Sequence, residues 1–344
     1  MINEIFIAAL AVSFGVIYLI SFRNLPGEKW QMIAAVPVKK NLTGSWDGFN
    51  LTWYGFFTAT GYIIAMTMFL ILAKSIKVET FHILLFFALL LGVCVPASKL
   101  IAFIVEKKKK TFTVGGAAFV GMFFAPILIA VINITAGNYV LPLLPVIASL
   151  TTAYAYGEGF GRLACISFGC CYGKPVSETN NFFKIIFNRF NFQFHGKTKK
   201  VSYDGNLENV KLIPIQGITA VLYTSAAIAA TYLFLQGYYQ ASFWVSVITT
   251  QLWRFLSEFL RADFRGAGKI SAYQWMSLIS LAYLAIVVLI FTTNSSPAAD
   301  ILSGLLYLWN PTVIFLLGIV WTAVFVYTGK SMVTESEIKF RLVK

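Results

Sequence analysis

Nine long apolar stretches, separated by shorter polar segments, dominate this 344-residue chain. A helix needs about 20 apolar residues to cross the roughly 30 Å hydrocarbon core of a bilayer, and each stretch is close to that length. Their predicted bounds are 4–21, 52–73, 80–104, 112–135, 139–158, 213–236, 241–260, 271–293 and 306–328. The pattern predicts an all-α polytopic membrane protein with about nine spans. The first stretch lacks the basic start and small-residue cleavage site of a signal peptide, so we expect a retained helix.

Two polar inserts interrupt this pattern. Residues 22–50 include Trp30 and Trp46 and predict a strap lying at the membrane interface. Residues 174–212 mix phenylalanines with polar residues and predict a small head above the membrane. The predicted division is 1–50 as an extra transmembrane helix with its strap, 51–293 as a membrane core carrying the head insert 174–212, and 294–344 as another extra helix with a basic tail.

Composition supports the membrane assignment. Hydrophobic residues make up 58% of the chain and charged residues 12%, whereas a soluble domain has about 25% charged residues. The net charge of +13 favours anionic lipid headgroups as partners, and no soluble basic domain is present to bind nucleic acid. With alternating spans, 23 of the 27 Lys and Arg residues fall on the side of the head insert. The positive-inside rule would place that side in the cytoplasm.

The segment 161–173 is the most informative motif. It places Arg162 at the end of a long apolar run, where a guanidinium is costly unless it faces protein, water or an anion. Gly161, Gly169 and Gly173 allow backbone or ligand to approach closely. The anion available at that depth is a lipid phosphate, so the segment predicts a phosphate-binding site.

A second group of charges lies at the end of the seventh stretch. Arg254, Glu258 and Arg261 are spaced i, i+4 and i+7, which places them on one face of a helix. One interpretation is a structural ion pair with Arg261 reaching the interface. The other is a phosphate-binding Arg254 oriented by Glu258, because the arginine fork suits phosphate.

Two weaker signals come from other stretches. Tyr54 opens the second span, where the aromatic belt of membrane proteins also explains a tyrosine. Gly115 and Gly116 lie in a bulky helix and indicate either close helix packing or a backbone kept open for a lipid.

Cysteines and histidines give no clear catalytic signal. Cys165, Cys170 and Cys171 could be metal ligands, redox thiols or a nucleophile, but their spacing is not a standard zinc pattern. We therefore expect core cysteines and no metal. His82 and His195 are the only histidines. We expect His82 at the membrane interface and His195 in the polar insert, so a Ser-His-Asp triad is set aside.

At these residues the chain resembles the prolipoprotein diacylglyceryl transferase family. The family signature Gly-Arg-x-Gly-Asn-Phe-x-Asn-Gly-Glu-x-x-Gly is matched in length and at four positions, namely Gly161, Arg162, Gly169 and Gly173. Five further landmarks occur in the same order as in the family: Tyr54-Gly55, Gly115-Gly116, Pro214-Ile215-Gln216, Arg254-Phe255 with Glu258 and Arg261, and Ser271 with Gln274 and Trp275. The resemblance covers roughly 52–293, the family's seven-helix core, and leaves one additional helix at each end.

The resemblance implies an activity of the bacterial inner membrane. Such enzymes move the diacylglyceryl group of phosphatidylglycerol onto the lipobox cysteine of a preprolipoprotein, without a cofactor or metal. The implied catalytic residues are Arg162 and Arg254 on the phosphate, Glu258 orienting Arg254, and Tyr54 on the headgroup. The implied substrate-binding residues are Gly115, Gly116, Gly161, Gly169, Gly173, Gln216 and Arg261.

The chain also departs from the family at its acid–base positions. The family histidine is Val114 here, and Cys165 and Cys170 replace an asparagine and the glutamate of the signature. Tyr54, Tyr172 and Glu158 are candidate bases by residue type alone. The family head faces outward, whereas the charge distribution predicts the reverse. A divergent transferase with another, possibly cytoplasmic, acceptor and a non-catalytic lipid-binding or lipid-translocating protein are therefore the alternatives.

Overall fold

The computed structural model describes residues 1–107, 113–263, 270–291 and 298–342. Twelve helices are formed in these ranges: α1 (Ile2–Asn24), α2 (Trp53–Ser75), α3 (Thr80–Glu106), α4 (Val114–Ala136), α5 (Leu143–Phe168), α6 (Asn181–Phe187), α7 (Lys200–Tyr203), α8 (Ile215–Leu235), α9 (Tyr239–Ser257), α10 (Ala272–Phe291), α11 (Ile301–Leu308) and α12 (Pro311–Gly329). The predicted start of the fourth span at 112 and the predicted boundary at 293–294 lie outside the described residues.

Nine of the helices described have 19 residues or more, and they correspond one to one with the predicted spans. Seven of these are long and apolar enough to cross a membrane by length and composition. The other two, α5 and α9, have lower mean hydropathy, because α5 carries Glu158 and Arg162 and α9 carries Arg254 and two glutamines. The prediction of an all-α polytopic membrane protein is confirmed, and the chain is a multi-pass membrane protein.

Helix α5 lies at the centre of the bundle, packed against α2, α8 and α9. Small residues make the close packing possible. A Cβ on Gly159 would lie 2.6 Å from the Thr224 hydroxyl of α8, and one on Gly61 would lie 3.0 Å from the Gly157 carbonyl oxygen. Such small-residue contacts let helix backbones approach each other in a membrane. In contrast, α12 is mostly exposed, as expected of a helix that faces lipid.

A small sheet was not predicted from the sequence. Strands β1 (Met32–Lys40), β2 (Trp46–Thr52) and β3 (Lys330–Ile338) form an antiparallel sheet in the order β1-β2-β3. The register pairs Lys40 with Trp46 in the first hairpin, and Trp46 with Ile338 across β2 and β3. The expected interfacial strap thus contains most of a β-hairpin. The expected basic tail supplies the third strand of the sheet.

The head, residues 174–212, rests on the segment that follows α1. Lys199 is completely buried and its Nζ donates to the carbonyl oxygens of Leu25 at 3.1 Å and Ser167 at 2.7 Å. The Gln31 Nε2 donates to the Thr198 carbonyl oxygen at 2.7 Å, and the His195 N–H donates to that of Pro26 at 3.1 Å. Head and hairpin therefore lie at the same end of the bundle.

Candidate functional site

Helices α5 and α9 bring two arginines onto one carboxylate. On α5, Arg162 follows Glu158 by one turn, and its Nη2 donates to the Glu158 Oε1 in a close ion pair. On α9, the Arg254 Nη2 lies 3.4 Å from the same oxygen and also donates to the Tyr154 hydroxyl. Glu158 thus joins the two guanidinium groups that the sequence predicted to bind phosphate.

The site lies near the head end of the bundle. Arg162 precedes the last residue of α5, Phe168, by six positions, which corresponds to about 9 Å along the helix axis. Arg254 lies within the last turn of α9, which ends at Ser257. Both guanidinium groups therefore lie near the ends of their helices.

The charges of this site do not balance among themselves. Two guanidinium groups share one carboxylate, which leaves one net positive charge. The side chains are largely buried, with exposed fractions of 17% for Arg162, 13% for Arg254 and 6% for Glu158. The Nε atoms of both arginines are buried and have no hydrogen-bond partner in the described part of the chain. A buried cation with unused donors is stabilised by an added anion.

One predicted substrate-binding glycine makes room for an arginine. A Cβ on Gly115 of α4 would lie 2.6 Å from the Arg254 Nη1, so only glycine allows this position of the guanidinium. A Cβ on Gly161, the residue before Arg162, would meet no described atom within 4 Å. Gly116 does not face the arginines. A Cβ on Gly116 would lie 2.7 Å from the Ile101 side chain, which indicates packing of α4 against α3.

A Schellman motif ends α5 and shapes the next part of the site. The Cys170 N–H donates to the Cys165 carbonyl oxygen at 3.1 Å, and the Gly169 N–H donates to that of Ile166 at 3.2 Å. Gly169 takes the left-handed conformation with φ of 73°, which favours glycine. Cys171 follows with φ of 57°. The chain therefore folds back on itself directly beyond the helix.

This reversal gathers the three cysteines. The Sγ atoms of Cys165, Cys170 and Cys171 all lie within 4.8 Å of one another. Tyr54 interacts electrostatically with all three, and its ring centroid lies 5.7 Å from that of Phe168. Tyr54 is thus placed beside the cysteines rather than in the ion-pair network of the arginines.

Gln216 and Gly173 support the same loop. The Gln216 Nε2 donates to the Cys170 carbonyl oxygen at 2.8 Å, and the buried Gln216 Oε1 has no partner among the described residues. A Cβ on Gly173 would lie 2.4 Å from the Ile213 carbonyl oxygen, so glycine is needed for this backbone contact. Gly173 also forms a β-bridge with Arg261.

The expected pairing of Glu258 with Arg254 is not what the structure shows. Helix α9 ends at Ser257 and continues as a 3-10 turn over Glu258–Leu260, which changes the direction of the following side chains. Glu258 instead lies 3.5 Å from the Arg261 Nη1, and Arg261 makes a bidentate pair with Asp263 at 2.7 and 2.8 Å. The carboxylate that holds Arg254 is Glu158.

Sequence reasoning missed Tyr154 and gave Glu158 no partner. The spacing Tyr154, Glu158, Arg162 places three polar side chains one turn apart on one face of α5, and this signal was available. Among the candidate bases, Tyr172 lies in the loop between α5 and the head, where burial raises the pKa of its phenol above the usual value. The phenol therefore stays protonated at neutral pH and is not available to accept a proton.

The amino-acid sequence also matches the model of a known protein family. The model of the prolipoprotein diacylglyceryl transferase family matches residues 43–291, which is more than two thirds of the chain. The chain belongs to this family. The predicted resemblance is confirmed. Helices α2–α5 and α8–α10 lie inside the matched region of this diacylglyceryl transferase family member, and α1 and α12 lie outside it. A comparison with curated proteins gave no significant match.

Proposed function

We propose that this protein transfers the diacylglyceryl group of phosphatidylglycerol to the lipobox cysteine of preprolipoproteins at the bacterial inner membrane. The observation that carries the proposal is the pair Arg162 and Arg254 on a single carboxylate, with one uncompensated positive charge and unused N–H donors. A phosphodiester headgroup carries one negative charge, which matches this excess. Family membership supports diacylglyceryl transfer as the reaction.

The proposed chemistry follows from the same charges. The acceptor thiolate attacks the glycerol carbon next to the phosphate, and the C–O bond to the phosphate breaks. Negative charge then grows on the departing glycerol phosphate. Preorganised N–H donors of Arg162 and Arg254 stabilise that charge more strongly in the transition state than in the ground state. Glu158 and Tyr154 position the guanidinium group of Arg254.

Substitution of the two arginines tests the proposal. We expect Arg162→Ala and Arg254→Ala each to lower kcat by about 10²–10³-fold, the usual effect of removing one such donor. The assay is mass spectrometry of a lipobox peptide incubated with purified protein and phosphatidylglycerol vesicles. Arg189→Ala is the matched control, because Arg189 is exposed on the head. Full activity in both site variants would refute these roles.

The alternatives predict different products in the same assay. The thiols at the family's acid–base positions favour a divergent transferase, and lipid consumption with another acceptor would identify it. Phosphatidylglycerol retained during purification without any turnover would identify a non-catalytic lipid-binding protein.

A separate experiment tests on which side of the membrane the head lies. A translocated lipobox requires the head to face outward, although the charge distribution predicts the cytoplasm. Phe190 is 62% exposed on the head, so we expect the thiol of a Phe190→Cys variant to be labelled by an impermeant reagent on intact cells. Labelling only after lysis would exclude a translocated preprolipoprotein as the acceptor.

A further inference from the structure

We infer that Cys165, Cys170 and Cys171 form a three-thiolate zinc site whose fourth position receives the thiol of the acceptor. The inference rests on the proposed function and adds to it a metal that generates the attacking thiolate. It departs from the sequence-based expectation that these cysteines only pack in the core and that no metal is bound.

The geometry of the three sulfurs suits one small metal ion. Zinc binds thiolates at about 2.3 Å, so three sulfurs on a tetrahedral zinc lie about 3.8 Å apart. The three Sγ atoms here lie within 4.8 Å of one another, and small rotations of the side chains bring them to that separation. The Schellman motif and the left-handed Cys171 fix the backbone that places them.

Two guanidinium groups interact electrostatically with the cluster: Arg162 with Cys165 and Cys171, and Arg261 with Cys171. Zinc binds cysteine as the thiolate, and the bound ion itself deprotonates the thiols that coordinate it. Cys94, the remaining cysteine, lies on α3 near Gly121, away from this cluster.

The carboxylates at the described site already form ion pairs with arginines. Glu158 is held by two arginines, and Glu258 and Asp263 are paired with Arg261. Both histidines lie elsewhere: His82 is 3.5 Å from Glu79 at the start of α3, and the His195 Nδ1 is 2.5 Å from the Asn209 Oδ1 in the head. A metal ion would give the acceptor thiol another means of losing its proton.

A zinc ion with three protein ligands and one open position provides it. Catalytic zinc sites have this composition, and a thiol that coordinates zinc is deprotonated. The acceptor thiol binds zinc and releases its proton to water. Its sulfur then forms the new S–C bond as the C–O bond to the phosphate breaks, and the glycerol phosphate leaves with both electrons of that bond. The thioether product is a poor zinc ligand, so it leaves the metal.

Metal content is the first test. Protein purified in detergent and loaded with zinc is dialysed against a weak chelator, and zinc is measured by plasma mass spectrometry. We expect about one zinc per chain in the unchanged protein and in Cys94→Ser, and loss of zinc in Cys165→Ser, Cys170→Ser and Cys171→Ser. Circular dichroism and gel filtration show whether each variant is folded. No zinc retained by the unchanged protein overturns the inference.

Cobalt substitution tests the open position without relying on turnover. The cobalt protein is expected to show thiolate-to-cobalt absorption, and its visible bands are expected to shift when a lipobox peptide with cysteine is added but not with the serine peptide. Identical spectra with both peptides would overturn the role in acceptor binding. Metal binding with a peptide-dependent shift but no lipid transfer would refute the proposed function while the metal site stands. Transfer at full rate by metal-free protein would refute the metal's role while the proposed function stands.

Discussion

A methyl group at position 115 is expected to displace Arg254 from the phosphate site. A Cβ there would lie 2.6 Å from the Arg254 Nη1 and 3.0 Å from the Tyr273 ring. Because nonbonded heavy atoms prefer separations of at least about 3.5 Å, the guanidinium must move by about 1 Å. The guanidinium is the end of a flexible side chain, so the fold should survive this movement.

The expected effect in Gly115→Ala is a loss of function without a loss of stability. A displacement of about 1 Å in a positioning group can lower a rate by about 10²-fold. The assay compares kcat/KM for lipobox peptide lipidation with retention of phosphatidylglycerol measured by native mass spectrometry. Gly92→Ala is the control, because a Cβ on Gly92 of α3 meets no described atom within 4 Å. Equal activity and equal lipid retention in the two variants would refute the placement of Arg254 at the phosphate.

Two further predictions concern stability. Glu158→Gln leaves two buried guanidinium groups without their carboxylate. We therefore expect the free energy of unfolding, measured in detergent, to fall by about 3–5 kcal/mol. The control Glu79→Gln should have little effect, because Glu79 is exposed. Burial lowers the pKa of Lys199 from 10.5 to about 8, so the unfolded chain binds more protons between these values and stability should rise with pH across this window. A melting temperature that rises equally in Lys199→Met would refute this assignment.

The sequence was sufficient to predict the spans but not the ends of the central helix. The fifth span was predicted to end at residue 158, because hydropathy falls at the charged residues that follow. In the structure α5 continues to Phe168, because Glu158 and Arg162 neutralise each other within the helix. Pairing within the protein thus extended a helix that the hydrophobic pattern alone ended too early.

The partners of the predicted residues were harder to find. Arg162 and Arg254 stood out because charges are rare in apolar segments, but their common carboxylate depends on the crossing of α5 and α9. The third strand of the sheet was missed because the partner of Trp46 in β3 is Ile338, at the other end of the chain. Neither contact has a local signal in the sequence.

The pairing of β2 with β3 also has a consequence for synthesis. The edge of β2 is made early, and its partner strand emerges only after α12. Until then the growing chain presents an unpaired strand edge, which is prone to pair with other chains. The sheet can therefore close only after α12 has been synthesised. A chain that stalls before α12 is complete would be distinguished from a finished one by that open edge.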